Sequence, residues 1–186
     1  VYVPKKRGCS VSLGVFGYGS LLWNPGFTPV QKVKARLHDY HRSFCMLSIH
    51  HRGSEEDPGL VLALDADPGG QCTGVAFQVA ENEEDTVLQV LRERELISSA
   101  YYEDTVELMT DTGQSIAALA YIINRDHRQY CQFDLEKQAQ MIAHAVGGRG
   151  PNTEYLYNTA AHLTEMGIRD DDMAWLVARV RALTAT

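Results

Sequence analysis

Apolar, β-branched segments divided by tight-turn sequences fill the first two thirds of this 186-residue chain. One pair of segments flanks Asp-Pro-Gly-Gly at 67–70, and another pair flanks Asp-Thr-Gly at 111–113. Because glycine and proline supply the backbone conformations that tight turns require, each pair is predicted to form a β-hairpin. The paired segments are 59–64 with 73–79 and 106–109 with 115–123, and segments 13–16 and 44–49 predict two further strands.

Helical periodicity dominates the remainder of the chain, where apolar residues recur every three or four positions after Asp134. Gly167 is predicted to end one of these helices. Strands followed by helices predict an α+β fold, with an antiparallel or mixed sheet that is able to close into a barrel. The length suits one core, so we expect an N-terminal leader at 1–12 and a single domain at 13–186. The predicted helices are 83–94, 134–146, 154–166 and 171–183.

The charge balance argues against a nucleic-acid partner. The formal net charge is −7, and the basic cluster Lys5-Lys6-Arg7 is interpreted as part of a solvated tail. The sequence has no run of the ~20 apolar residues that a membrane span needs, and its start lacks the apolar core of a signal peptide. We therefore expect a cytoplasmic protein with no membrane partner and no obligate protein partner.

The cysteines and histidines do not form a recognisable metal-binding pattern. The four cysteines are widely spaced and include no CxxC pair, so reduced thiols are expected. The histidine pairs 38/41 and 50/51 lack a completing set of acidic or thiol ligands, and no metal is expected. His-Arg-Gly at 51–53 is compatible with orienting a ligand or with bracing a loop, and bracing is the favoured interpretation. The cysteines are Cys9, Cys45, Cys72 and Cys131.

A glycine-serine turn, Gly-Tyr-Gly-Ser-Leu-Leu at 17–22, follows the first predicted strand. It does not match the dinucleotide-binding fingerprint G-x-G-x-x-G, because position 22 is leucine. It does not match the nucleophile elbow G-x-S-x-G either, so Ser20 is a poor nucleophile candidate. Two interpretations remain: a tight turn that needs glycine for its own backbone angles, or a cradle whose amide N–H groups face an anionic or carbonyl oxygen.

Glu95 is the acidic residue predicted to turn inward from the helix at 83–94. A helical projection places Glu95 about 60° from the centre of the apolar face, whereas Glu93 lies on the opposite face. Desolvation of an inward carboxyl raises its pKa, which suits a group that accepts protons near neutral pH. The alternatives are a salt bridge from Glu95 to Arg92 or Arg94, or a helix that frays before Glu95.

Taken together and in order, several motifs make the chain resemble the γ-glutamylcyclotransferase family, and most closely its ChaC-like branch, which acts on glutathione. The Arg94-Glu95 pair is followed six residues later by Tyr101, and the likeness extends from residue 15 to about residue 183. One departure lies at Ser98-Ser99, where much of the family carries Gly-Gly or Gly-Ala. Extra side-chain bulk there is expected to narrow the pocket or shift selectivity. The remaining motifs are VFGYGSLLW at 15–23, SIHHRG at 48–53 followed by Pro58-Gly59, CTGVAFQV at 72–79, GRGPNTEYL at 148–156, and the tail pattern Gly167-Ile168 with Asp170-Asp171.

The resemblance implies a small β-barrel flanked by helices, with the substrate held at the barrel mouth. It implies Glu95 as the general base of a lyase that converts glutathione to 5-oxoproline and cysteinylglycine without metal or cofactor. Two alternatives stay open: a cyclotransferase for other γ-glutamyl amino acids or amines, and an inactive γ-glutamyl-binding module. The residues implied to bind the γ-glutamyl group are Gly17, Tyr18, Gly19, Ser20, Leu21 and Leu22.

Overall fold

A computed structural model describes residues 12–96 and 98–185. Five strands close into a barrel in the order β1-β3-β2-β4-β5, with β5 returning to contact β1 and β3. Both of those closing contacts are parallel, whereas the other strand pairs are antiparallel, so the barrel is mixed as predicted. The strands are β1 Gly14–Gly17, β2 Gln31–Ser48, β3 Gly59–Gln78, β4 Tyr101–Thr110 and β5 Ser115–Ile123.

Four helices follow or interrupt the strands, which confirms the α+β class. A short two-stranded ribbon, β6 with β7, lies between the second and third helices. In the described part of the chain, no helix is both long and apolar enough to cross a membrane. The predicted leader, apart from Ser12, lies outside the described residues, as does Cys9. The elements are α1 Glu84–Glu95, α2 Leu135–His144, β6 Val146–Gly147, β7 Gly150–Pro151, α3 Asn152–Glu165 and α4 Asp171–Thr184.

The predicted hairpin between 59–64 and 73–79 is wrong, because both segments belong to one long strand, β3, that pairs with β2. Tyr40 faces Ala66 and His38 faces Gln71, so residues 67–70 form a bulge opposite Asp39. The Asp-Pro-Gly-Gly sequence still marks a tight local change of backbone direction, because the bulge contains Gly69 at φ +84°. The Gly69 N–H donates to Asp39 Oδ1 at 2.9 Å. The predicted β4–β5 hairpin is confirmed.

Two apolar layers position the mouth of the barrel. The barrel interior includes Phe16, Leu64 and Leu108, and a second layer joins the barrel to α2, α3 and α4. The helix α1 packs separately, through Val87 and Leu91, against a cluster that contains strand residues of β1 and β5. Since this packing fixes α1 on the barrel, its last residue, Glu95, is held beside the loop that follows β1.

Candidate active site

A small cavity, partly open to solvent, lies where the loop after β1 meets the C-terminal end of α1 and the strands β3, β4 and β5. It brings together residues from five separate parts of the chain, including the predicted loop and the predicted acid. The lining residues are Tyr18, Gly19, Ser20, Leu21, Leu62, Glu95, Tyr101 and Tyr121.

Of the six loop residues predicted to bind substrate, the central four line the cavity, whereas Gly17 and Leu22 do not. Gly17 packs so closely that an added Cβ would lie 2.5 Å from the Phe77 ring. Leu22 is only 2% exposed and belongs to the core between barrel and helices. By contrast, a Cβ on Gly19 would meet nothing nearer than Leu62 at 3.7 Å. Close packing therefore explains the glycine at 17, while a Cβ at position 19 would make only ordinary van der Waals contact with Leu62.

The loop presents backbone donors at the cavity wall. Ser20–Leu22 form one 3-10 turn, in which the Leu22 N–H donates to the Gly19 carbonyl oxygen at 2.9 Å. Within residues 12–96 and 98–185, the N–H groups of Gly19, Ser20 and Leu21 have no hydrogen-bond acceptor. The first N–H groups of a helical turn lack partners within the turn, so they are free to bind an oxygen atom.

Glu95 lies at the cavity with its side chain only 15% exposed. Burial raises the pKa of Glu95, and the Arg94 guanidinium opposes this effect in part. The expected inward orientation and the alternative salt bridge are both present, because Arg94 Nε lies 3.3 Å from Glu95 Oε1. The other proposed partner, Arg92, instead binds both oxygens of Glu103 at 2.8 and 3.0 Å.

Arg94 also connects α1 to the loop. Its Nη2 donates to Ser20 Oγ at 3.0 Å, and its Nη1 donates to the Asn24 carbonyl oxygen at 2.6 Å. The guanidinium therefore restrains the loop and the helix end relative to one another. No sequence pattern predicted this contact, apart from the position of Arg94 next to Glu95.

Tyrosine hydroxyls complete the cavity with neutral polar groups. Tyr18 donates to the Tyr121 carbonyl oxygen at 2.9 Å, and the Tyr121 hydroxyl donates to Glu103 Oε2 at 3.1 Å. Burial, with Glu95 nearby, raises the pKa of Tyr18 and of Tyr101 well above the usual value, so both stay protonated. Sequence reasoning missed Tyr121, since it looks like one more apolar residue of β5.

Along one edge of β3 beside the cavity, side chains rather than a neighbouring strand form hydrogen bonds with the main-chain groups. The Asn152 amide accepts from the Leu60 N–H and donates to the Leu60 carbonyl oxygen, both at 2.8 Å. The Leu62 N–H donates to the Tyr155 hydroxyl at 3.2 Å, and Tyr101 donates to the Leu62 carbonyl oxygen at 3.3 Å. The motif at 148–156 thus braces the strand that carries Leu62.

The stretch 51–53 braces a loop, as favoured. The Arg52 N–H donates to Ser48 Oγ at 2.9 Å, and an added Cβ on Gly53 would lie 2.1 Å from the Gly59 nitrogen. Cys45, Cys72 and Cys131 are buried free thiols. In the described residues, no group of three or more His, Cys, Asp and Glu side chains is arranged to hold a metal ion.

Ser98 and Ser99 lie outside the cavity lining, and both are exposed. The expected narrowing of the pocket by their side chains therefore finds no support in this geometry. Serine in place of glycine at position 99 affects the backbone instead, because Ser99 adopts φ +58°, a left-handed conformation that glycine tolerates far better.

Comparison with known proteins places this geometry in a family. Residues 13–183 match the family described as ChaC-like protein. The chain is 35% identical over 173 residues to the glutathione-specific γ-glutamylcyclotransferase of Escherichia coli strain K12, an alignment that covers 92% of this chain and 74% of that protein. It is 32% identical over 184 residues to the glutathione-specific γ-glutamylcyclotransferase 1 of Homo sapiens, covering 95% of this chain and 82% of that protein.

The fold is similar to a crystal structure of a γ-glutamyl cyclotransferase specific to glutathione from yeast. The TM-score is 0.83 at 22% sequence identity, and the superposition covers 93% of this chain and 97% of that chain. The barrel and its helices are thus a known architecture, and the match of residues 13–183 fixes the assignment. The chain belongs to the ChaC-like family.

Proposed function

We propose that this protein is an enzyme that cleaves glutathione to 5-oxoproline and cysteinylglycine. One observation carries the proposal: the half-buried Glu95 carboxyl, whose pKa is raised, shares a cavity with a loop that offers unpaired backbone N–H groups. The names of the Escherichia coli and human relatives supply the substrate.

The reaction is an intramolecular aminolysis. The α-amine nitrogen of the γ-glutamyl unit forms a bond to its own γ-carbonyl carbon, and the bond from that carbon to the cysteine nitrogen breaks. Glu95 accepts a proton from the α-ammonium group and returns it to the departing nitrogen. The α-nitrogen loses a second proton as the lactam forms, and this proton also ends on the departing nitrogen, which leaves as the ammonium group of cysteinylglycine. The two products contain all the atoms of glutathione, so no water is consumed. Holding nucleophile and electrophile of one molecule in contact contributes up to ~7–11 kcal/mol in well-oriented cases.

The environment of Glu95 suits this role. A carboxyl with the ordinary pKa is a weak base toward an ammonium group, and burial makes Glu95 more basic. The Arg94 guanidinium, 3.3 Å from the carboxyl, opposes that increase in pKa. Glu95 is therefore able to accept the proton and to return it in the second half of the reaction.

Negative charge develops on the γ-carbonyl oxygen when the ring closes. The free N–H groups of Gly19, Ser20 and Leu21 are the donors available to this oxygen in the described residues. One such donor typically contributes ~10²–10³ in kcat. The tyrosine hydroxyls of Tyr18 and Tyr101 add polar groups that carry no charge.

The direct test mixes purified protein with glutathione and quantifies 5-oxoproline, cysteinylglycine and glutamate by mass spectrometry. Equal amounts of the first two products, without glutamate, are expected. A Glu95→Gln preparation made in parallel controls for a contaminating activity. Glutamate in place of 5-oxoproline would indicate hydrolysis and contradict the lactam mechanism.

A panel of γ-glutamyl amino acids and γ-glutamyl amines tests the choice of substrate. We expect glutathione to give the highest kcat/KM. A faster reaction with another γ-glutamyl compound would move the assignment to the broader cyclotransferase alternative, and tight glutathione binding without turnover would indicate a binding module.

The proposed location is cytoplasmic, and the three buried free thiols support it, because unpaired cysteines suit a reducing compartment. Fractionation of cells that express the tagged chain tests this location. Recovery in a secreted or membrane fraction would contradict it.

A further inference from the structure

A buried arginine that does not line the cavity holds the backbone of the loop. Arg42, on β2, donates from Nη1 to the Tyr18 carbonyl oxygen at 2.6 Å. Its side chain is only 4% exposed, and it does not line the cavity at Glu95. The contact joins a buried cation to the Tyr18–Gly19 peptide unit, which also contains the first of the free N–H groups, that of Gly19.

Asp170 fixes the position of Arg42. Arg42 Nε donates to Asp170 Oδ2 at 2.9 Å, and Nη2 donates to the Thr73 carbonyl oxygen at 2.8 Å. Asp170 is itself restrained, because its Oδ1 caps the first turn of α4 by accepting from the Met173 N–H at 2.9 Å. Each guanidinium nitrogen of Arg42 thus has one acceptor, and the planar group cannot rotate without losing several hydrogen bonds.

Peptide geometry transmits this restraint to the cavity. In a trans peptide the carbonyl oxygen and the N–H of the next residue point in opposite directions. Holding the Tyr18 oxygen toward Arg42 therefore directs the Gly19 N–H away from Arg42, and Gly19 lines the cavity.

This peptide unit needs an external restraint. Glycine accepts positive and negative φ almost equally, so a rotation of the peptide before Gly19 meets little resistance from the backbone itself. Gly19 has φ −136° and ψ −123°, outside the regular helical and extended regions. Without a bound carbonyl oxygen, the Tyr18–Gly19 unit would be free to turn its oxygen toward the substrate.

We propose that Arg42, locked by Asp170, is a positioning residue that keeps the Gly19 N–H directed at the reacting carbonyl group. The proposal rests on the proposed function for its catalytic consequence, but its geometric content is independent of any substrate. A buried ion pair contributes little net stability, since desolvation offsets most of the attraction. The described contacts give this pair a second effect, the orientation of one peptide unit.

The test compares Arg42→Lys and Asp170→Asn with Arg179→Lys as a matched control. The control also shortens an arginine that binds a carboxylate, since Arg179 donates to both oxygens of Glu136 at 2.8 and 2.9 Å, between α4 and α2. A lysine at 42 keeps the charge opposite Asp170 but cannot serve all three acceptors. Asp170→Asn retains an amide oxygen for the α4 cap, so it provides a folded variant if Arg42→Lys is unstable.

Two readouts separate positioning from general stability. We expect Arg42→Lys to lower kcat at least ~10-fold, with KM changed less than ~3-fold, because a lost oxyanion donor acts on the transition state. In ¹H–¹⁵N NMR spectra of the substrate-free protein, the Gly19 amide is expected to shift or broaden. Asp170→Asn should show smaller changes of the same kind, and Arg179→Lys should show neither at temperatures well below its Tm.

Each outcome decides the matter. An unchanged Gly19 resonance in both variants overturns the positioning role, whatever the rates. A changed resonance with wild-type kcat overturns its catalytic consequence. If the wild-type protein makes no 5-oxoproline, the proposed function fails, and the Gly19 resonance alone still decides whether Arg42 orients the peptide.

Discussion

Replacement of Glu95 by glutamine is predicted to abolish turnover and to stabilise the fold at neutral pH. Loss of a general base typically lowers kcat by ~10²–10⁴-fold, which corresponds to ~2.7–5.4 kcal/mol in the activation barrier. Glutamine keeps the size of the side chain and its position beside the loop, so KM is expected to change much less. Steady-state kinetics with glutathione measure both quantities.

The stability gain follows from the raised pKa of Glu95, whose largest cause is burial. The folded state favours the protonated carboxyl, so each pKa unit of increase costs ~1.4 kcal/mol of stability once Glu95 is ionised. This raised pKa already includes the opposing effect of Arg94, whose partly exposed ion pair contributes only ~0–1 kcal/mol. Glutamine removes the net cost.

The pH dependence gives the sign of the effect. Above the ordinary pKa of 4.5 the folded protein binds more protons at Glu95 than the unfolded chain, so stability falls as pH rises toward the folded-state pKa. Urea unfolding should therefore show Glu95→Gln more stable than wild type at pH 7.5, with the gap closing well below pH 4.5.

Glu93→Gln is the matched control, because Glu93 is exposed and contacts only Gln89, at 3.1 Å, among the interactions found for its side chain. This variant should keep wild-type kcat and should change stability by less than ~0.5 kcal/mol. A Glu95→Gln enzyme with more than a tenth of wild-type kcat, or with lower stability at pH 7.5, would refute the argument.

Three further predictions concern proton transfer, the braced strand and the left-handed serine. The kcat/KM for glutathione should rise along its acidic limb with an inflection above pH 4.5, because burial raises the pKa of Glu95; an inflection at or below 4.5 contradicts this. Asn152→Ala leaves the buried Leu60 N–H and carbonyl unpaired, so the free energy of unfolding measured in urea should fall by ~2–5 kcal/mol. A fall of less than ~1 kcal/mol, about fivefold in the equilibrium constant, contradicts the bracing role. Ser99→Gly relieves φ +58° and should raise the free energy of unfolding by ~0.5–1 kcal/mol, whereas Ser98→Gly, which has no positive φ, should lower it.

Sequence patterns predicted the elements that carry the site more reliably than they predicted the sheet. Apolar spacing placed the end of α1 within one residue of Glu95 and indicated its inward direction. The first 13 residues of β2, by contrast, went unrecognised, because charged residues occupy many of its outward positions and only Ala35 and Leu37 are buried near its start. Pairing with β3 makes this segment a strand, and long-range pairing leaves little local trace.

The same limitation applies to the cavity wall. The glycine-serine loop was recognisable because its composition is unusual for a strand end. Arg42 and Tyr121 were not, since a lone arginine in a polar stretch and a tyrosine in an apolar strand each fit an ordinary structural role. Their contacts with Tyr18 depend on the closure of the barrel, which brings residues 24 and 103 positions apart together.

The amide and hydroxyl groups that complete the edge of β3 at Leu60 and Leu62 also affect which molecules the protein is able to capture. An unoccupied strand edge invites any extended polypeptide to extend the sheet. Here the main-chain groups at those two positions are already engaged by Asn152, Tyr155 and Tyr101. An extended peptide therefore cannot pair with β3 at these positions, so the protein selects its ligand through the small γ-glutamyl group that enters the barrel mouth. The same hydrogen bonds prevent two copies of the chain from pairing edge to edge along this part of β3.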